Sequence, residues 1–310
     1  MIIQYIEREF KPKTLEMIAQ ANAICEEYNA QGYDLTLRQV YYQFVARGLF
    51  ENTDRNYKNL GSAINDARLA GLMDWDYITD RTRYLRTSSV WDSPSDIISA
   101  SARQFARNLW DESEQEYRPE VWVEKDALVG VIGKVCDELR VPYFSCRGYV
   151  SQSEMWVAGR RLRNHRLSGA IPVVIHLGDH DPSGLDMTRD IRERLAMFNE
   201  GPIEVNRIAL NMDQVEEYTP PPNPTKLTDS RSEGYVSEYG YESWELDALE
   251  PSVLDELIRE AIEPLVDRDT WNRAAAKDAA DREMMETISD RWDDLDDNWT
   301  AVEELLDDQP

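Results

Sequence analysis

The sequence predicts an α/β chain: a helical N-terminal domain, a parallel-sheet domain and an acidic helical C-terminal region, divided at residues 1–110, 119–250 and 251–310. Three observations predict it. Apolar residues recur at helical spacing between residues 14 and 70, punctuated by Gly32, Gly48 and Gly71. Between residues 120 and 210, short apolar runs alternate with helix-patterned segments, the order of a parallel sheet with crossover helices. Residues 213–310 hold 29 acids and 8 bases, against 31 and 26 in residues 1–212, so most of the formal charge of −26 is C-terminal.

Leu15, Ile18, Ala19, Ala21 and Ile24 place a helix over residues 14–29. After Thr36, a stripe of Leu37, Val40, Tyr41 and Phe44 gives a second helix that stops at Gly48. A third, over 55–70, carries Tyr57, Leu60, Ile64, Ala67 and Arg68, and Leu72–Ile78 then reads as a short strand or wing. Three helices and a short β element make the helix-turn-helix or winged-helix pattern, whose last long helix usually enters a DNA groove. A Ser-rich connection around 87–101 and a helix over 95–110 lead to Pro119. Strands over 120–124, 141–144, 172–178 and 203–210 alternate with helices over 126–140, 152–167 and 184–198. The proline-rich run Tyr218–Pro224 is an extended loop, and residues 252–310 return to a helical period.

Composition narrows the function classes. No apolar stretch approaches a membrane span, and the N-terminus lacks signal-peptide order, so no membrane partner and a cytoplasmic location are expected. Cys25, Cys136 and Cys146 are scattered, which argues against a disulfide framework or a zinc site. The acidity argues against a nucleic-acid partner for the chain as a whole. Yet residues 38–107 hold 10 bases against 8 acids, either a local basic surface for DNA or a solvated face of mixed charge. Only 7 of the 34 basic residues are Lys, which fits adaptation to high salt or a GC-rich genome equally.

Glu124 closes the run Val121–Glu124, and Asp179 and Asp181 close the run Ile171–Asp181. Ligands of open parallel sheets collect at the carboxyl ends of the strands, so these acids are expected to converge. An all-oxygen cluster suits Mg²⁺, or Mn²⁺ in its place, and phosphodiester chemistry. The bland alternative is that Asp before Pro or Gly caps a turn or helix.

Val123-Glu124-Lys125 followed by Gly178-Asp179-His180-Asp181-Pro182-Ser183-Gly184 resembles the Toprim domain of topoisomerases, primases and related nucleases. Arg38-Gln39-Val40-Tyr41-Tyr42 is similar to the R-x-I-Y-Y run of the topoisomerase VI A subunit and its meiotic double-strand-break relatives, in which a winged-helix domain precedes Toprim. Trp244–Leu249 with Ile258–Ile262 resembles the segment that follows, so the similarity covers about residues 30–265. The resemblance implies a homodimer that cleaves double-stranded DNA, with Tyr42 attacking a phosphodiester and facing the Toprim site of the other subunit. It also implies Mg²⁺ on Glu124, Asp179 and Asp181. A phenol with a pKa near 10 needs a neighbouring cation or base, and Arg38 lies one helical turn away. Against this, the chain is short and acidic and has no evident ATPase domain, so ATP-driven strand passage would need a partner subunit. In the hydrolytic alternative, Tyr42 packs in the core and the acids activate water.

Lys125 is expected at the scissile phosphate or as a helix cap. Lys58, Arg68, Arg81 and Arg83 are candidates for the DNA backbone, with solvated surface positions as the alternative. His180 alternates with the two aspartates and is a candidate phosphate contact. The rival reading for the whole chain is a non-catalytic DNA- or partner-binding protein of the same fold.

Overall fold

The computed structural model describes residues 2–78, 90–292, 294 and 298 of the 310-residue chain. Its contacts form two compact units, Met1–Tyr84 with Tyr117–Leu265, and Leu85–Glu116 with Val266–Pro310. This grouping differs from a division at 110, 119 and 251: the N-terminal helices and the sheet share one unit, while the segment around 94–112 joins the C-terminal helix. Periodicity locates each element, but partner choice depends on which stripes meet in space.

In the first unit, α1 (Pro12–Ala30), α2 (Leu37–Ala46) and α3 (Asp54–Leu69) surround a core that includes Ile24, Tyr28, Val40, Phe44, Leu60 and Ile64. Thr36 starts α2 with a reciprocal cap: its hydroxyl accepts from Gln39 N, and the Gln39 side chain accepts from Thr36 N at 2.8 Å. Leu72–Ile78, expected as a strand or wing, instead contains a 3-10 turn at Trp75–Tyr77 and a single bridge from Ile78 to Leu35. The cause is local: Asp74 caps the turn, and Arg68 draws in the carbonyls of Trp75 and Ile78.

The sheet is parallel throughout, in the order β2 (Tyr143–Ser145), β1 (Tyr117–Val123), β3 (Ile171–Leu177), β4 (Glu204–Ala209). On one face Trp122, Val174 and Val205 pack against α7 (Gln152–Leu167) and α8 (Pro182–Asn199) through Met155, Leu162, Met187 and Ile191. The alternate residues Val121, Val123, Val173 and Ile175 are equally buried, on the side taken by α6 (Val129–Glu138) and α11 (Pro251–Ile262). Burial on both faces is why these strands read as unbroken apolar runs.

After β4, α9 (Met212–Tyr218) leads to a two-stranded pair, β5 (Asn223–Pro224) and β6 (Glu242–Ser243), with α10 (Ser232–Tyr239) between them. Trp244 then pairs with His180 in both directions, N–H to carbonyl at 2.8 and 2.9 Å, and so lays residues 244–249 along the carboxyl edge of the sheet. In the second unit, α4 (Pro94–Gln104) and α5 (Leu109–Glu112) pack on α12 (Arg268–Asp290), with Trp110 edge-on to Trp271 and Asp278 accepting from Arg107 N at 2.6 Å. Among the described residues no helix is long and apolar enough to cross a membrane.

Candidate functional site

Backbone pairing runs one residue past β1: Glu124 N donates to Leu177 O at 2.9 Å. Glu124 therefore sits beside the loop that leaves β3, and its Oε2 accepts from Asp179 N at 2.9 Å. Arg207, from β4, fixes the same loop, donating to the carbonyls of Gly178 at 2.9 Å, Asp179 at 2.7 Å and Gly184 at 3.0 Å. Burial brings Arg207 down to about 10 even against the charges of Glu124, Asp179 and Asp181. Gly184 is required by close approach, since a Cβ there would collide with the Asp179 carbonyl.

The two aspartates take different roles. Asp181 caps α8, its Oδ1 accepting from Gly184 N at 2.7 Å and Ser183 Oγ at 2.9 Å. Asp179 is buried; its Oδ1 accepts from Leu246 N at 2.8 Å and pairs with Lys125 Nζ at 3.1 Å. Burial pushes Asp179 up to about 7, with Lys125 opposing and Glu124 and Asp247 adding to the shift. Glu124 is raised first by burial and then by the charge of Asp181, against Lys125 and Arg207.

Lys125 also reaches Asp247 Oδ1 at 2.8 Å and Glu245 Oε2 at 2.9 Å. Burial lowers this ammonium, but Asp247, Asp179 and Glu245 outweigh it and hold its pKa well above normal. Glu245 joins the sheet edge to α2. It pairs with Arg38 Nη1 at 3.0 Å and accepts from Asn223 Nδ2 at 3.1 Å. Burial opposes its ionisation, yet Lys125, Tyr42 and Arg38 together bring it down to about 2.

The sequence-derived candidates thus separate. Arg38, Tyr42, Glu124, Lys125 and Asp179 belong to one network, with Arg38 Nη1 at 3.4 Å from the Tyr42 hydroxyl. Tyr42 is only 3% exposed; burial first, then Asp247 and Glu245, raise its phenol beyond the ordinary range despite Arg38. Lys58 is exposed on α3. Arg68 stacks 5.5 Å from the Trp75 ring and is spent on the turn after α3. His180, expected to contact phosphate, is buried at 2% exposure: its Nδ1 lies 2.8 Å from the Tyr235 hydroxyl, and Tyr239 and Trp244 enclose its ring. The backbone pairing with Trp244 is what turns it inward. Arg81 and Arg83 lie outside the described residues.

Sequence reading assigned no role to Glu245, Asp247, Asn223 or Arg207. One signal was present: Glu245-Leu246-Asp247 repeats the acid-x-acid spacing of Asp179-His180-Asp181.

The donor chemistry can be tested against Mg²⁺. Five carboxylates (Glu124, Asp179, Asp181, Glu245, Asp247) lie near three cations (Arg38, Lys125, Arg207), but burial favours the neutral forms of Glu124, Asp179 and Asp247. Among the described residues, no three His, Cys, Asp or Glu side chains converge as a metal-holding group. Lys125 engages Asp179, while the charge of Asp181 acts on Glu124, which leaves Glu124 and Asp181 as the candidate carboxylates for an ion that keeps most of its water. Compared with protein-family models, curated proteins and solved structures, the chain matches none of them.

Proposed function

We propose that the chain is a Mg²⁺-dependent DNA-cleaving enzyme resembling the topoisomerase VI A subunit, with a winged-helix-like helical region that holds duplex DNA and a Toprim-like sheet that carries the acids. The observation that supports this reading is the meeting of Arg38 and Tyr42 from α2 with Glu124, Lys125 and Asp179 at the carboxyl ends of β1 and β3. Glu124 and Asp181 would hold the metal, which when bound supplies charge to a phosphate gaining negative charge in the transition state. Glu124 also fixes the loop through Asp179 N, while Lys125 holds the Asp179 side chain in place. With Tyr42 buried and its phenol raised, water is the nucleophile that this arrangement favours; transesterification would require Tyr42 to leave its pocket. Cutting both strands calls for two sites related by a two-fold axis, hence a homodimer, and strand passage would further require a separate ATPase subunit.

The test is incubation of the full chain with supercoiled plasmid in Mg²⁺ or Mn²⁺. The expected result is metal-dependent cutting that drops at least ~100-fold in Glu124→Gln and persists in Tyr42→Phe, with no protein bound to the new 5′ ends. Loss of cutting in Tyr42→Phe together with a 5′-linked protein would replace water by the tyrosine. An intact plasmid with either metal, or undiminished cutting by Glu124→Gln, would sink the enzymatic reading. Duplex binding without cutting would point to the non-catalytic DNA-binding role instead.

A further inference from the structure

Three donors from three separate parts of the first unit are aimed at one carboxylate. Arg38 Nη1 (3.0 Å) and Lys125 Nζ (2.9 Å) share Glu245 Oε2, and Asn223 Nδ2 (3.1 Å) donates to Oε1. Two cations and an amide around one two-oxygen anion are the donors that recognise a phosphodiester, since carboxylate and phosphate present the same acceptor geometry to Arg and Lys. The guanidinium is held in place by the Tyr57 ring 5.6 Å away. The site is open enough for exchange: the side chains of Arg38 and Glu245 are 48% and 27% exposed. Asp247 takes the Lys125 ammonium at 2.8 Å while its Oδ2 has no hydrogen-bond partner among the described residues.

We propose that Arg38, Lys125 and Asn223 form the DNA-phosphate site of this chain, and that Glu245 is its internal occupant, displaced when a backbone phosphate enters. The proposal rests on the reading that the chain acts on DNA and adds to it a defined phosphate position and a competing side chain. Glu245 then sets affinity: DNA must exchange one anion for another, so the folded chain resists non-specific binding until a duplex engages enough other contacts.

The experiment measures binding of a fluorescein-labelled duplex by anisotropy, without divalent metal, for the wild-type chain, Glu245→Gln and Glu245→Gln/Arg38→Gln. Removing the competing charge is expected to tighten binding about tenfold, and Arg38→Gln is expected to cancel the gain. Unchanged or weaker binding by folded Glu245→Gln overturns the proposal, as does a gain that survives loss of Arg38. Should Glu245→Gln fail to fold, carbodiimide labelling of carboxylates in the wild-type chain decides: saturating duplex is expected to raise labelling at Glu245, and an unchanged or lower level overturns the proposal. Tighter binding by Glu245→Gln without plasmid cutting by any form would keep this site and remove the enzymatic reading. Metal-dependent cutting without the affinity gain would do the reverse.

Discussion

Lys125 holds three carboxylates, Asp247, Glu245 and Asp179, at 2.8, 2.9 and 3.1 Å, and two of these acids are almost fully buried. Lys125→Met strands those charges and is expected to cost roughly 3 kcal/mol in urea unfolding; the double variant with Asp247→Asn is expected to recover part of it. A loss of under ~0.5 kcal/mol, the range of an ordinary surface substitution, would show that the ammonium is replaceable. His176 gives the pH prediction. Burial, reinforced by Arg207, brings its pKa from 6.5 to about 3, and its Nδ1 rests 2.9 Å from Thr188 Oγ1. The unfolded chain takes up a proton near 6.5 that the folded chain refuses until about 3, so this residue lowers stability as pH falls through that window. The slope is ~1 kcal/mol per pH unit. Unfolding measured from pH 7 to 4 should be less steep in His176→Asn; an identical slope would refute the assignment. At this scale Glu124 and Asp179 were legible as acids closing apolar strands. The inward turn of His180 was not, because it depends on Trp244, distant in sequence, pairing with its backbone.

Among the elements, α2 and α8 place the site, and each depends on a local device. The reciprocal cap of α2 fixes where the helix starts and hence where Arg38 and Tyr42 point. Thr36→Ala is expected to lower stability by about 1 kcal/mol in a thermal melt, with Thr36→Ser near wild type; equal loss in both would mean that packing of the threonine methyl, not capping, was removed. In α8, Gly184→Ala places a methyl against the Asp179 carbonyl. It should cost about 1–3 kcal/mol and abolish cutting, and a fully active, equally stable variant would show that the loop yields. The helix and strand order from residue 14 to 210 was legible because apolar spacing records burial directly. Leu72–Ile78 was misread since alternation there is overridden by Asp74 and Arg68, which bend the backbone into a 3-10 turn. The helix expected over 95–110 is two pieces, α4 and α5, separated by Phe105–Asn108, where Asn108 caps the second.

For the whole molecule, a formal charge of −26 means that the folded chain repels itself at low ionic strength. Raising salt from about 0.01 M to about 0.15 M shortens the screening length from about 30 Å to about 8 Å, so the melting temperature is expected to rise across that range; a fall would show that favourable ion pairs outweigh the net charge. The proposed homodimer is checked by sedimentation of the full chain with and without duplex, and a monomer in both conditions would require another route to double-strand cutting. The sequence by itself determined the order and type of the sheet elements, the position of acids at strand ends and the uneven charge, because each follows from local spacing or composition. Only the tertiary structure decided that the N-terminal helices share a unit with the sheet, that Asp179 answers to Lys125 while Asp181 caps a helix, and that Glu245 occupies the donors of Arg38, Lys125 and Asn223. The physical reason is that charged partners are chosen by proximity after the apolar layers have packed, and no periodicity along the chain encodes which distant residues that packing brings together.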